Sequence, residues 1–336
     1  MADARTIVIV APNWLGDAVM ALPAIAGVRL HFADARLVVA ARRGVADLFA
    51  MVPGIDATSV DPTAASLRDL RADVALLLPN SFASAWLVKR AAVNERWGYA
   101  ADVRGRLLTR AIAKPTSLVH QGEYYQHLIR ELGIPAGPPE PVIAVPPDAV
   151  KEARSLLAQN GCDDVSRLIV LAPGAAYGKA KQWIPSHVID LVTHLARERL
   201  AACALVGSRG DASTTRAIRR GVPDDCRARV IDLAGRTSLP VLAGVLGLAR
   251  VCVSNDSGAM HLAAAAGVPV AAIFGSTNER ATSPLTRTGV AAEVLTNPVW
   301  CRPCMLRECP IDHRCMTGID PRAVLAAVDR LADGSA

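Results

Sequence analysis

The chain is 336 residues long, 51% hydrophobic and 20% charged, which excludes a disordered or fibrous protein and leaves room for two domains, each with its own core. Aromatic residues make up only 4%, so Ala, Val and Leu must do the packing, a composition that suits helices laid on parallel strands. The net charge is +6, and with no targeting segment visible the chain is expected to be cytoplasmic and its eight cysteines mostly reduced.

Thr6–Val10 is a β-branched run that reads as a buried strand; it is too short for a signal-peptide core and stops before Pro12. The turn Asn13-Trp14-Leu15-Gly16-Asp17 follows, then a helix expected from Ala18 to Phe32. This opens a Rossmann-like half, yet no G-x-G-x-x-G spacing and no P-loop occurs. Asp17 stands at the mouth of the turn, where a carboxylate is either a helix cap or a catalytic group. Strands are expected at Leu37–Ala40, Ala57–Val60 and Val74–Leu78, with helices at Val45–Met51 and Ala83–Ala92. The strand Val74–Leu78 runs into Pro79-Asn80-Ser81, a second polar turn.

Between Lys89 and Lys114 the basic residues Lys89, Arg90, Arg96, Arg104, Arg106, Arg110 and Lys114 face only Glu95 and Asp102, with Trp86, Trp97 and Tyr99 interleaved. Such a patch fits anionic lipid headgroups, an acidic glycolipid or nucleic acid; the alternative is a solvated helix face. A helix over Tyr124–Leu132 ends at Gly133. The prolines at 135, 138, 139, 141, 146 and 147 then forbid regular helix and mark an interdomain linker.

Beyond the linker the pattern restarts. Helices are expected at Ala149–Gln159, His187–Arg197, Ser213–Arg220 and Val241–Leu248, and strands at Leu168–Leu171, Ala202–Val206 and Val230–Leu233. Two such α/β domains joined by a hinge imply a cleft faced by strand-end turns. One of these turns, Pro173–Trp183, combines Gly174 and Gly178 with Lys179 and Lys181. Its glycines let backbone N–H groups approach a phosphate, and a lysine supplies the charge that a leaving diphosphate needs.

The stretch Ala249–Ser276 organises the second half: strand Val251–Val253, polar turn Ser254-Asn255-Asp256-Ser257-Gly258, Ala-rich helix Met260–Ala266, and strand Val270–Phe274. A helix N-terminus with unpaired N–H groups is a seat for a diphosphate or for sugar hydroxyls, and His261 lies one turn inside. The alternative is that Asn255, Asp256 and Ser257 only cap the helix. Leu262–Phe274 is broken by Gly267-Val268-Pro269 and falls short of the roughly 20 residues that span a bilayer.

Cys301, Cys304, Cys309 and Cys315 are spaced C-x2-C-x4-C-x5-C, with His313 between the last two. This spacing fits a closed structural zinc site or an iron–sulfur site; reduced thiols or a disulfide are the alternatives. A helix follows at Pro321–Leu331.

Together, Asn13–Met20, Leu78-Pro79-Asn80-Ser81-Phe82, Pro173-Gly174-Ala175 with Lys181–Pro185, and Ser254–His261 resemble the motifs of the ADP-heptose:lipopolysaccharide heptosyltransferases, glycosyltransferase family 9. The resemblance spans nearly the whole chain and is nearest to the heptosyltransferase II branch. It implies a GT-B fold: an N-terminal acceptor-binding Rossmann-like domain over 1–140, a C-terminal ADP-sugar domain over 141–318 with the cysteine-rich loop at 301–315, and a C-terminal helix over 319–336. It implies inverting transfer from ADP-L-glycero-D-manno-heptose to an inner-core acceptor that already carries one heptose. By position, Asp17 resembles the general base and Lys181 the residue that holds the donor phosphates. Asn13, Gly16, Asn80, Ser81, Gly174, Ala175, Asp256, Ser257, Gly258 and His261 match substrate-binding positions. No cofactor or catalytic metal is implied beyond the donor. The implied partners are ADP-heptose, the lipopolysaccharide acceptor and the cytoplasmic face of the inner membrane, with no nucleic acid. Heptosyltransferases I and III share most of these motifs, and a nucleotide-sugar epimerase or a binding protein of the same shape is the rival class. The turn at Ala175-Ala176 lacks hydroxyl residues, which shifts phosphate contacts to backbone N–H groups.

Overall fold

The computed structural model describes residues 4–334. They divide into two compact units, residues up to Ala144 and residues from Val145 onward. Each holds one six-stranded sheet in which all the paired strands are parallel.

In the first unit the strands are β1 (Thr6–Val10), β2 (Arg36–Ala41), β3 (Ala57–Val60), β4 (Val74–Leu77), β5 (Glu95–Tyr99) and β6 (Arg110–Ile112), in the order β3-β2-β1-β4-β5-β6. The runs IVIV, LVVAA and VALL are buried throughout, as strands covered by helices on both faces must be, so they show no polar alternation. Chain connections reverse direction between β1 and β4, where Val10 pairs with Leu77, so the turns leaving these two strands lie side by side.

The second unit repeats the plan with β7 (Leu168–Ala172), β8 (Ala202–Leu205), β9 (Val230–Asp232), β10 (Val251–Asn255), β11 (Val270–Phe274) and β12 (Ala292–Thr296), ordered β12-β11-β10-β7-β8-β9. Its reversal point is β7 against β10, where Ala172 pairs with Ser254. The C-terminal helix Pro321–Asp333 buries Val324, Val328 and Leu331 in the same core as Val251 and Ile273.

Several elements differ from the sequence expectation. The helix expected over Ala18–Phe32 is two helices, Leu15–Met20 and Leu22–His31, because Pro23 lacks an N–H and sits in the first turn of the second. Strands β5, β6 and β12 were not legible. As a result Trp97 and Tyr99, expected in a surface patch, are buried sheet residues. Among the described residues no helix is long and apolar enough to cross a membrane.

Candidate active site

Each reversal point gathers part of the candidate set. In the first unit Asn13, Gly16 and Asp17 follow β1, and Asn80 and Ser81 follow β4. Asp17 lies half-buried in the first turn of the helix Leu15–Met20, where its charge meets the positive end of the helix. The Tyr125 hydroxyl is pushed above its ordinary range, first by burial and then by the Asp17 carboxylate, which places that charge close to Tyr125.

Asn13 and Ser81 line a cavity of about 340 Å³ together with Arg42, Asp61 and Ser84. The sequence reading missed Arg42 and Asp61, although both follow strand ends. Asn80 does not line this cavity: its amide donates to the Tyr124 hydroxyl at 2.9 Å. Ser81 accepts from Ser84 N at 3.3 Å as the N-cap of the helix Phe82–Arg90.

The turn Pro79–Ser81 is held by a residue that the sequence reading placed in the exposed basic patch. Arg104 is wholly buried; its guanidinium donates to the carbonyl of Pro79, to Tyr99 O at 3.0 Å and to Ser84 Oγ at 3.1 Å. Burial lowers its pKa to about 10. Arg104 therefore leaves the patch and becomes a strut of the turn. Arg96 is likewise drawn inward, donating to Leu107 O at 2.7 Å. Lys89, Arg90, Arg106 and Lys114 remain exposed, and Lys89 lies over the ring of Trp86, which stacks with the half-exposed Phe82. Arg104→Met leaves the buried carbonyl of Tyr99 and the part-buried carbonyl of Pro79 without this donor and is expected to cost about 3 kcal/mol of stability in urea unfolding. A loss below about 1 kcal/mol would contradict the strut.

In the second unit the turn after β7 meets the turn after β10. Lys181 Nζ donates to Asp256 Oδ2 at 2.6 Å across 75 residues of sequence, and Thr277 Oγ1 donates to the same oxygen at 2.7 Å. Asp256 is 6% exposed, so these two donors stand in for the water that its carboxylate has lost. Capping does not explain the polar turn. Ser257 occupies the N-cap position of the helix Gly258–Ala265 but makes no capping bond, its hydroxyl pairing instead with Ser254 Oγ at 2.9 Å. Asn255 staples the two turns together: it accepts from Trp183 N at 3.0 Å and donates to Pro173 O at 2.7 Å. Gly258 opens the helix, whose first N–H groups thus have no side-chain cap, and His261 is buried one turn in.

At Gly174 a Cβ would run into the Asp211 carboxylate, so a side chain there would have to displace it. Ala175 follows Gly174, half-buried, on the same turn. Thr277 was missed by the sequence reading, although Ser276-Thr277 is the polar turn that follows β11 and could have been read like the others.

Zinc or iron–sulfur ligation is one reading of the cysteine spacing, beside reduced thiols or a disulfide. Among the described residues no group of three or more His, Cys, Asp or Glu side chains is placed to hold a metal ion, and all four thiols are free. Cys315 is buried in the short helix Arg314–Thr317, where desolvation pushes its thiol up. Cys309 Sγ accepts from His313 N at 3.3 Å, and His313 Nε2 is turned toward Ala180 O at 2.9 Å.

Residues 63–314 match the family described as glycosyltransferase family 9 (heptosyltransferase). Lipooligosaccharide heptosyltransferase 2 of Haemophilus ducreyi is 29% identical over 310 residues, 86% of this chain and 88% of that one. Its counterpart in Haemophilus influenzae is 28% identical over 299 residues, 83% of this chain and 86% of that one. Among solved structures, ADP-heptose lps heptosyltransferase II of E. coli superposes with a TM-score of 0.83 at 24% identity, covering 97% of this chain and 98% of that one. The fold is therefore GT-B, with one Rossmann-like sheet in each unit. With three quarters of its length matched by the family pattern, the chain belongs to glycosyltransferase family 9, the heptosyltransferases, and is a glycosyltransferase.

Proposed function

We propose that this enzyme moves L-glycero-D-manno-heptose from its ADP conjugate onto the heptose already carried by the inner core of lipopolysaccharide, with inversion at the anomeric carbon. The observation that carries the donor half is the convergence of Lys181 and Asp256 beside the uncapped start of the helix Gly258–Ala265. A cation next to free helix N–H groups is what a departing diphosphate needs. The relatives named lipooligosaccharide heptosyltransferase 2 support heptose as the sugar and a lipooligosaccharide as the class of acceptor.

Chemically, the acceptor oxygen forms the new bond to the anomeric carbon as the bond to ADP breaks. Asp17 takes the proton of the acceptor hydroxyl, and the electron pair of the broken bond stays on the diphosphate, where Lys181 and the helix N-terminus meet the added charge. A carboxylate is a weak base, but transfer late in the reaction still lowers the barrier. Asn13, Ser81, Arg42 and Asp61 line a cavity suited to the hydroxyls and acidic groups of an inner-core sugar. Release of ADP should depend strictly on an acceptor bearing one heptose. Equal release with a heptose-free acceptor would favour heptosyltransferase I, and turnover of the donor alone would favour an epimerase or hydrolase.

Such an acceptor is anchored in a membrane, which gives the exposed Phe82, Trp86 and Lys89 a use at the cytoplasmic face of the inner membrane: aromatic rings and a cation suit an anionic interface. Lys89→Glu is expected to weaken sedimentation with phosphatidylglycerol vesicles by roughly fivefold or more, since each basic residue near such a surface is worth about 1 kcal/mol. Unchanged sedimentation would leave this face merely solvated.

A further inference from the structure

The cysteine-rich loop is absorbed by none of the chemistry above, yet it is built onto the turn that carries Lys181. Tyr177 Oη donates to Met305 O at 2.8 Å, Ala180 N donates to Arg307 O at 2.9 Å, and His313 Nε2 meets Ala180 O at 2.9 Å. Gly178 admits the contact because a Cβ there would lie 2.8 Å from Arg307 Cα. The ring of Tyr177 bears two cations: Lys181 Nζ at 5.0 Å from its centroid and Arg307 Cζ at 5.2 Å.

These cations are not in the same state. Lys181 is neutralised by Asp256 at 2.6 Å, whereas no carboxylate pairs with Arg307 among the described residues. A diphosphate carries more than one negative charge, so a site whose lysine is already matched by an aspartate needs a further cation. The guanidinium fork is the group best shaped to hold phosphate oxygens.

We propose that the loop 301–315 is a wall of the donor site and that Arg307 is a second phosphate-binding residue, held in reach by Tyr177 and by the backbone bond to Ala180. His313 is a positioning residue that fixes the same turn through Ala180. This rests on the donor reading of Lys181 given above.

The test is calorimetric titration of the full-length protein with ADP and with adenosine, for wild type, Arg307→Gln, His313→Phe and Lys181→Ala. Arg307→Gln is expected to weaken ADP binding about tenfold, to flatten its salt dependence and to leave adenosine binding unchanged. His313→Phe should weaken ADP binding less and without changing the salt slope, as expected for a group that acts through the turn. If Lys181→Ala weakens ADP binding while Arg307→Gln leaves both affinity and salt slope at wild-type values, the loop is only packing and the proposal is overturned. If wild type does not bind ADP, the donor reading itself fails. Circular dichroism and melting of each variant separate lost binding from lost fold.

Discussion

Asp17→Asn is expected to lower kcat by about 10²-fold or more while ADP binding stays within a factor of about two, because losing a positioned base removes stabilisation only from the transition state. Asp17 is half-buried in the first turn of a helix. The amide keeps the size and a hydrogen-bonding oxygen of the carboxylate, and losing the charge at the helix start costs about 0.3–1 kcal/mol, so the fold should survive. Steady-state rates with saturating donor, together with a melting curve, check both halves. Near-normal turnover would remove Asp17 from the chemistry and leave it as a helix-terminal charge.

Lys181→Ala should act on the other substrate. One charge-assisted contact to phosphate is worth about 1.5–3 kcal/mol, so ADP affinity should fall by roughly 10- to 100-fold. The same change strips Asp256 of one of its two donors, and an uncompensated buried carboxylate costs about 3–5 kcal/mol when its ion-pair partner is lost. A melting loss alone would therefore be ambiguous. The pair Lys181→Met with Asp256→Asn removes both charges and should recover most of the lost stability while leaving ADP affinity low. Recovery of affinity along with stability would mean that Lys181 serves only the fold.

The legibility of this chain in its sequence follows from where its side chains are redundant with its backbone. β1, β4, β7, β10 and β11 are short apolar runs between turn signals, so the strands that flank both reversal points were readable, although their order in the sheet was not. The turns at Asp17, Asn80, Gly174 and Asp256 stand at strand ends, where a doubly wound sheet concentrates function, so their positions were readable. β5 was not: its sequence ERWGY opens with two charged residues, one of which, Arg96, reaches backbone carbonyls near the sheet edge. β12, with sequence AEVLT, is an edge strand only partly buried, and a carboxylate interrupts its short apolar run; that carboxylate, on Glu293, pairs with Arg330 at 2.7 Å.

Arg104 was the largest misreading, and its cause is general. Net charge counts cations without asking where backbone carbonyls lie, and here the carbonyls of Pro79 and Tyr99 draw a guanidinium into the interior. The cysteines show the converse: spacing alone offers a tetrahedral set, but Cys315 is committed to the core of the second unit and His313 to Ala180. Thr277 meets Asp256 because β11 lies beside β10, so the turns that leave these consecutive strands are neighbours.

Heptosyl transfer to an acceptor that already bears one heptose is read out by mass spectrometry of the product. Lipopolysaccharide truncated after its first heptose, incubated with ADP-heptose and the wild-type enzyme, should gain the mass of one heptose, and the gain should vanish with Asp17→Asn over the same interval. No mass gain on this acceptor, with a gain on the heptose-free one, would contradict the account.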